Sequence, residues 1–282
     1  MSARTFLFAP GSDLAKVEKA LASAADIVII DLEDAVAPSE KERARANIVE
    51  VLRAKPTKSV LVRVNSLSTA WALPDLLAVV PLLPQGIVIP KAQANLEIKM
   101  VSWVIEQLAG VNSGIDIYPL IETATGVEKA ASIAKASAQV KRLIFGALDY
   151  SLDLGLSYTG DPTVLAYARA RLVVASAAAS LEGPIDTVYP GFKDEDGLRR
   201  DTLEAKKLGF KGKLVIHPAQ IIPVNEVFTP SEVEFEEAQQ IVEVYRQAQA
   251  EGKGAVQWKG KMIDEPVLKR AEQIMAVKQQ LG

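Results

Sequence analysis

The residues of this chain that could do chemistry sit where apolar, β-branched-rich runs stop. RTFLFAPG ends at Pro10-Gly11, IVIIDLEDA carries Asp31, Glu33 and Asp34, SVLVRVN places Arg63 near its end, and GIVIPK stops at Lys91. IDIYPLIE stops at Glu122, RLIFGALD at Asp149 and KLVIHP at His217-Pro218. Glu122 and Asp149 offer hard oxygen donors of the kind Mg²⁺ takes, with the remaining positions left to water and substrate. A salt bridge or loop hydrogen bond for each is the plainer alternative. A lone cation such as Arg63 in an apolar run needs an acidic partner or an anionic ligand to offset its desolvation. Its planar fork suits the carboxylate of an organic acid, and a buried ion pair with Asp31 or Glu33 would meet the same need. Lys91 raises a Schiff-base route, since a desolvated strand-end lysine can attack a carbonyl, or else it neutralises the acids around it. His217, the sole histidine, reads as a structural hydrogen-bonding residue. Asp264, just before Glu265-Pro266, reads as the N-cap of a last helix.

Distant charges share one site only if the runs converge, and the segments between them supply the means. Leu14 to Ala25, Ser39 to Leu52, Leu96 to Leu108, Gly126 to Ser137, Thr163 to Leu181 and Leu198 to Leu208 carry apolar residues at three- and four-residue spacing, the helical period. Ser39 with Glu42, and Thr125 with Glu128, match the capping-box pattern. Strands expected near residues 4, 27, 59, 86, 115, 142, 185 and 213 make eight units, mostly about 23 to 32 residues apart. That alternation predicts a (β/α)8 TIM barrel over residues 1–225, whose strand carboxyl ends gather catalytic residues on one rim. The longest connection, 149–183, begins with the polar stretch DYSLDLGLSYTGDP. Beyond His217, Thr229-Pro230-Ser231-Glu232 opens a helix to about Ala250, and a Gly-rich break leads to a last helix from about Glu265 to Gln280. Residues 226–282 are thus expected to form a helical extension and lid that covers the barrel or reaches a neighbouring subunit.

Composition bounds the function. The 282 residues are 49% hydrophobic and 24% charged, with a net charge of -3. Mean hydropathy is +0.14 and the pI is near 5.5. The chain can bury a large core, and it has no basic block of the sort that binds nucleic acid or a membrane surface. With no cysteine, disulfides, thiolate metal sites and a cysteine nucleophile are excluded, and with one histidine a zinc site of usual composition is not expected. No stretch reaches the length of a membrane span, and the run from Thr5 reads as a strand rather than a signal segment, so the cytoplasm is the expected compartment.

Eight segments in order carry a resemblance: RTFLFAPGSD with Lys16, DLEDAV at 31–36, VRVN around Arg63, Pro90-Lys91, LIET at Glu122, FGALDYSLDLG at Asp149, GKLVIHPAQI around His217, and GKMIDEP at the end. Together they resemble the citrate lyase β-subunit-like group of the HpcH/HpaI aldolase superfamily, which includes malyl-CoA and citramalyl-CoA lyases. The resemblance runs nearly the full length. It implies Mg²⁺, with Mn²⁺ as a substitute, held by Glu122 and Asp149, with Glu122 also beside the substrate. It implies Arg63 on the carboxylate of the keto-acid portion, and Asp264 as an acid or base delivered from an adjacent subunit. Pro10, Gly11 and Lys16 lie where such enzymes approach CoA. Asp31, Glu33 and Asp34 would hold the Lys91 and Arg63 side chains and the metal's waters in place. Leu148 departs from the pattern, since many relatives carry an acid there.

The implied activity is a Mg²⁺-dependent carbon–carbon lyase that cleaves or forms a 3-hydroxy-acyl-CoA such as malyl-, citramalyl- or citryl-CoA, giving acetyl-CoA and a 2-keto acid. Three alternatives stay open: a malate synthase or thioesterase outcome on the same enolate, a β subunit of a citrate lyase complex that needs an acyl-carrier partner, and a metal-free Schiff-base aldolase through Lys91. The expected partners are the CoA thioester and keto acid, with no nucleic acid or membrane. A homo-trimer or hexamer follows from the resemblance.

Overall fold

A computed structural model describes residues 3–157 and 162–281. Eight strands hydrogen-bond in chain order: β1 (Thr5–Pro10), β2 (Ile27–Asp31), β3 (Ser59–Arg63), β4 (Gly86–Ile89), β5 (Asp116–Ile121), β6 (Ile144–Phe145), β7 (Ile185–Asp186) and β8 (Gly212–Val215). β8 returns to β1 and closes the barrel, with every pairing parallel. Closure leaves no strand edge exposed, and helices between consecutive strands cover the outer face, as parallel strands require.

The two-residue period of each strand sorts side chains into two cores. Inward positions Phe6, Ile29, Leu61, Val88, Tyr118, Leu120, Ile144, Ile185 and Leu214 fill the barrel. Outward positions such as Leu7, Val28, Ile30, Val62, Ile87, Ile89, Phe145 and Val215 pack with Ile48, Ile98, Val101, Val127 and Leu172 of the helices. Full burial of each such side chain is worth about 1.5–3 kcal/mol. Lower in the barrel, the buried Arg142 lies over the Phe6 ring and donates to the carbonyls of Ala3, Gly183 and Pro184. At Gly86 a Cβ would sit 2.7 Å from the Asp116 carbonyl oxygen and 2.8 Å from the Tyr118 ring. Gly86→Ala therefore forces β4 and β5 apart.

Several local expectations need correcting. Ser39 does not cap: Pro38–Glu40 forms a 3-10 turn, and the helix Lys41–Arg53 follows with no side-chain cap. Thr125 lies inside the helix Ala124–Ala134, whose cap is Thr123, accepting from the Gly126 amide. A further helix, Ala72–Val79, was not expected between β3 and β4. The stretch after β6 is helical over Ala147–Asp153, and its last part, residues 158–161, lies outside the described residues.

Residues Ser2–Phe228 form one compact unit and Thr229–Gly282 a second. The barrel unit takes in the helix Ile221–Phe228, which packs on β1, β8 and the helix Glu195–Leu208, so the division falls after Phe228 rather than at 225. In the second unit, Ser231 rather than Thr229 opens the helix Glu232–Ala250 through a capping box with Glu234. The expected Gly-rich break is a hairpin, β9 (Val256–Trp258) and β10 (Lys261–Ile263), turning at Lys259-Gly260 with both residues at positive φ. The helix Glu265–Leu281 completes this unit. No helix among the described residues is long and apolar enough to cross a membrane.

Candidate active site

Asp31, Arg63 and Glu122 occupy the inward parity of their strands, one step above Ile29, Leu61 and Leu120. They form the top layer of the barrel interior, where the strand carboxyl ends open. Parallel register sets Asp31 beside Arg63. The guanidinium donates from Nε to Asp31 Oδ1 and from Nη2 to Asp31 Oδ2, each at 2.6 Å. Its third nitrogen, Nη1, lies 3.2 Å from Glu33 and 3.5 Å from Asp34, and its plane covers the Phe8 ring. Burial pushes the Asp31 carboxyl up, but Arg63 and the amides of Glu33 and Ala35 outweigh it and hold Asp31 below the usual carboxylate range. The two-pronged face of Arg63 is thus already engaged within the protein, and its remaining nitrogen faces the acids Glu33 and Asp34.

Lys91 follows β4 with φ of 51° and bridges the two acidic walls. Its amide donates to Glu122 Oε1 at 2.8 Å, and its Nζ donates to Glu33 Oε1 at 2.9 Å and faces Asp34 at 3.6 Å. Burial would ease off the Nζ proton, yet Glu33, Asp34 and Glu122 outweigh it and raise Lys91 above its ordinary value. An amine held so firmly as ammonium is a poor carbonyl nucleophile, which argues against the Schiff-base route.

Glu122 is 2% exposed. Burial, then the repulsion of Asp149 and Glu33, pushes it up to about 8, against the pull of Arg63 and the Lys91 amide. Asp149 sits in the first turn of Ala147–Asp153 rather than on the strand itself, and Leu148 beside it is exposed on the cavity rim. With Pro10, Asp31, Asp34, Arg63 and Thr187, these residues line a cavity of about 410 Å³, within the range of small-molecule sites. Gly11 stands next to it, its amide on the Asp31 carbonyl and its carbonyl held by Asn47.

Other expected residues are engaged in local contacts. The Lys16 side chain is exposed and pairs with Asp13 on its own helix turn. His217 caps the turn Pro218–Gln220, accepting from the Ala219 amide beside the Phe192 ring. Asp264 Oδ1 accepts from the Val267 amide at 3.3 Å, as a helix cap does. Two contributors were missed. Lys41 is buried and donates its Nζ to the carbonyls of Leu32 and Glu33, fixing the acidic loop after β2. Thr187 accepts from the Ala147 amide and so anchors the helix that carries Asp149. Lys41 is three residues from a proline in a helical pattern and Thr187 follows an Asp in a short apolar run, so neither stands out by type or spacing.

Among the described residues no group of three or more His, Cys, Asp or Glu converges as a metal cage. The donor set still fits one ion. Two hard carboxylates facing a cavity, one of them pushed up by burial and then by its acidic neighbours, match a Mg²⁺ that keeps waters or substrate oxygens on its remaining positions.

The family model for HpcH/HpaI aldolase/citrate lyase matches residues 4–218. The chain is 33% identical over 97% of its length to the mitochondrial citramalyl-CoA lyase of Rattus norvegicus, 85% of which is covered. It is 34% identical over 96% of its length to the L-malyl-CoA/beta-methylmalyl-CoA lyase of Cereibacter sphaeroides, 93% of which is covered. The crystal structure of protein CitE from Mycobacterium tuberculosis in complex with magnesium, acetoacetate and coenzyme A superposes with a TM-score of 0.84, at 29% identity, covering 99% of each chain. With the barrel, its acidic mouth and a full-length match in hand, the chain belongs to the HpcH/HpaI aldolase/citrate lyase family.

Proposed function

We propose that the protein is a Mg²⁺-dependent carbon–carbon lyase acting on a 3-hydroxy-acyl-CoA of the malyl or citramalyl kind. The observation that carries this reading is the pairing of buried Glu122 with Asp149 on a cavity that Arg63 also lines. Its relatives are lyases of such thioesters, and the CitE complex holds magnesium together with coenzyme A.

Glu122 and Asp149 would hold the ion. Bound there, Mg²⁺ supplies Lewis-acid polarisation of the hydroxyl and carboxylate oxygens of the acyl portion. Arg63 would meet that carboxylate through Nη1, in exchange for Glu33 and Asp34, while Asp31 fixes the guanidinium plane before substrate arrives. Lys91, on Glu33 and against Glu122 through its amide, keeps the acidic walls at a fixed separation. Cleavage requires the hydroxyl to lose its proton and the carbon–carbon bond electrons to pass to the thioester α-carbon. That carbon then gains a proton, and Asp264 is the donor we assign, acting as base in the condensing direction. We assign Asp264 to a neighbouring copy within a homo-trimer or hexamer, with the C-terminal unit as a lid. Pro10 at the cavity edge and the Gly11 turn are assigned to the CoA approach, with Lys16 farther along the same segment.

The test is a panel of malyl-, citramalyl- and citryl-CoA, with products followed by CoA-ester chromatography in Mg²⁺ and in EDTA. Release of acetyl-CoA and a 2-keto acid that stops in EDTA is expected. Turnover in chelator with borohydride trapping on Lys91 would refute it. Free CoA without acetyl-CoA would indicate the hydrolytic outcome, and activity only with an acyl-carrier protein would indicate a complex subunit. For Asp264, inactive Asp264→Ala and Glu122→Ala chains are mixed and allowed to exchange; returned activity is expected if the tail crosses between copies.

A further inference from the structure

Asp149 is not on a strand, and its place beside Glu122 therefore has to be set by whatever holds the short helix Ala147–Asp153. The first amides of a helix lack partners within it, and here the residue before the helix, Gly146, has no side chain to cap them. The acceptor comes from another strand. Thr187, next after β7 and 1% exposed, takes the Ala147 amide on its Oγ1 at 3.0 Å. Its neighbour Asp186 faces the other side of the strand, where it receives two bonds of 2.9 Å from Arg169 and one of 2.7 Å from Lys213, all three fully buried.

The other end of the same helix returns to the Glu122 segment. Asp153 Oδ2 accepts from the Ala124 amide at 2.8 Å, two residues beyond Glu122. Between these ends, the helix start lies against Glu122 itself: a Cβ on Gly146 would be 2.5 Å from Glu122 Oε2, and the Gly146 amide donates to the Ile121 carbonyl at 3.0 Å. The helix is therefore pinned at its start by Thr187, at its end by Ala124, and laterally by Glu122.

We propose that Thr187, with Asp153, is a positioning residue: the two side chains fix the helix Ala147–Asp153 so that Asp149 and Glu122 present their carboxylates to one cation. This rests on the reading of that carboxylate pair as the metal ligands. Thr187 does not touch the ion; it acts through the Ala147 amide and the helix turn that carries Asp149. Residues that orient ligands in this indirect way typically change metal affinity by roughly 10–100-fold when replaced.

The experiment is a Mn²⁺ titration of the full chain, free ion read by electron paramagnetic resonance, for the wild type and for Thr187→Val, Thr187→Ser, Asp153→Ala and Glu122→Gln. Folding of each is checked by circular dichroism and thermal melting. Valine keeps the shape and removes the acceptor; serine keeps the acceptor. The expected result is a Kd for Mn²⁺ raised roughly 10–100-fold in Thr187→Val, near the wild-type value in Thr187→Ser, and raised in Asp153→Ala. A folded Thr187→Val that binds Mn²⁺ like the wild type, even if it melts lower, would overturn the proposal and leave Thr187 a purely structural cap. Should Thr187→Val not fold, Asp153→Ala, at an exposed position, decides: unchanged affinity overturns the pinning and weakened affinity supports it. A wild type that binds no Mn²⁺, or a Glu122→Gln chain that binds it equally well, removes the metal reading itself and this proposal with it.

Discussion

Lys213 and Asp186 point outward from β8 and β7, while Asp31, Arg63 and Glu122 point inward from β2, β3 and the end of β5, and both sets are buried. The outer group is closed. Arg169 and Lys213 each donate to both Asp186 and Asp201, two cations facing two carboxylates, with Arg169 Nη1 the nitrogen left without a partner. The inner group is open and unbalanced: Asp31, Glu33, Asp34, Glu122 and Asp149 face Arg63 and Lys91, with Lys41 behind them on backbone carbonyls. Buried charges that neutralise each other hold a fold, since their desolvation is offset on the spot. Excess negative charge around a cavity is different, for it is relieved only by protons or by a cation that comes from outside. Burial and neighbouring carboxylates push Glu122 and Glu33 up, whereas Asp201, like Asp31 on the Arg63 fork, is held down by the cations it pairs with.

The largest effect that could break this contrast is at Glu122. Glu122→Gln removes a ligand and a repelled charge together, so kcat/KM should fall by roughly 10²–10³-fold, or about 3–4 kcal/mol. Its melting temperature in EDTA should hold or rise, because a function-directed charge is a stability burden. A melting temperature that drops would place Glu122 among the structural charges.

The opposite outcome is expected on the outside. Lys213→Met keeps most of the volume but leaves Asp186 and Asp201 short of a cation, and loss of about 3–5 kcal/mol in urea unfolding should follow. Mn²⁺ affinity of the folded fraction should not change. If affinity falls while stability holds, the two groups are not separable in the way their geometry indicates.

Arg63 borders both groups and sharpens the line between them. Arg63→Lys retains charge and loses the fork on Asp31, so a stability loss of about 2 kcal/mol is expected together with a KM raised about tenfold. An unchanged KM with the lower melting temperature would assign Arg63 to the scaffold alone.

The sequence made the barrel legible because its eight apolar runs and helical periods are long-range regularities that survive local error. The site was legible where chemistry breaks a run: Arg63 in VLVRVN and Glu122 after IYPLI stand out because a strand interior tolerates few charges. Local starts were less so. Ser39 and Thr125 fit the capping pattern, yet Pro38 begins a 3-10 turn and Thr123 captures the Gly126 amide first, choices settled by backbone geometry rather than by residue type. Helix Ala72–Val79 hides behind Pro74 and a short sequence whose one charge, Asp75, is buried while Leu73 and Leu77 are exposed. The engagement of Arg63 by Asp31 and the anchoring of the Asp149 helix by Thr187 depend on register between strands, which no local pattern encodes.

The smallest effect is a dependence on pH. Burial pushes Asp201 up, but Lys213 and Arg169 outweigh it and hold the carboxyl below its usual range. A carboxyl whose folded value lies below the unfolded value near 3.9 contributes stability that is complete above the unfolded value and disappears as pH falls through the folded one. Asp201→Asn retains an oxygen acceptor and loses the charge, so it should cost about 1 kcal/mol at neutral pH. The difference between wild type and Asp201→Asn, measured by urea unfolding from pH 7 downward, should stay flat to about pH 5 and shrink below about pH 4. A gap that is constant to pH 3 would mean that Asp201 acts through hydrogen bonding alone, and that the outer group does not depend on its charge balance for stability.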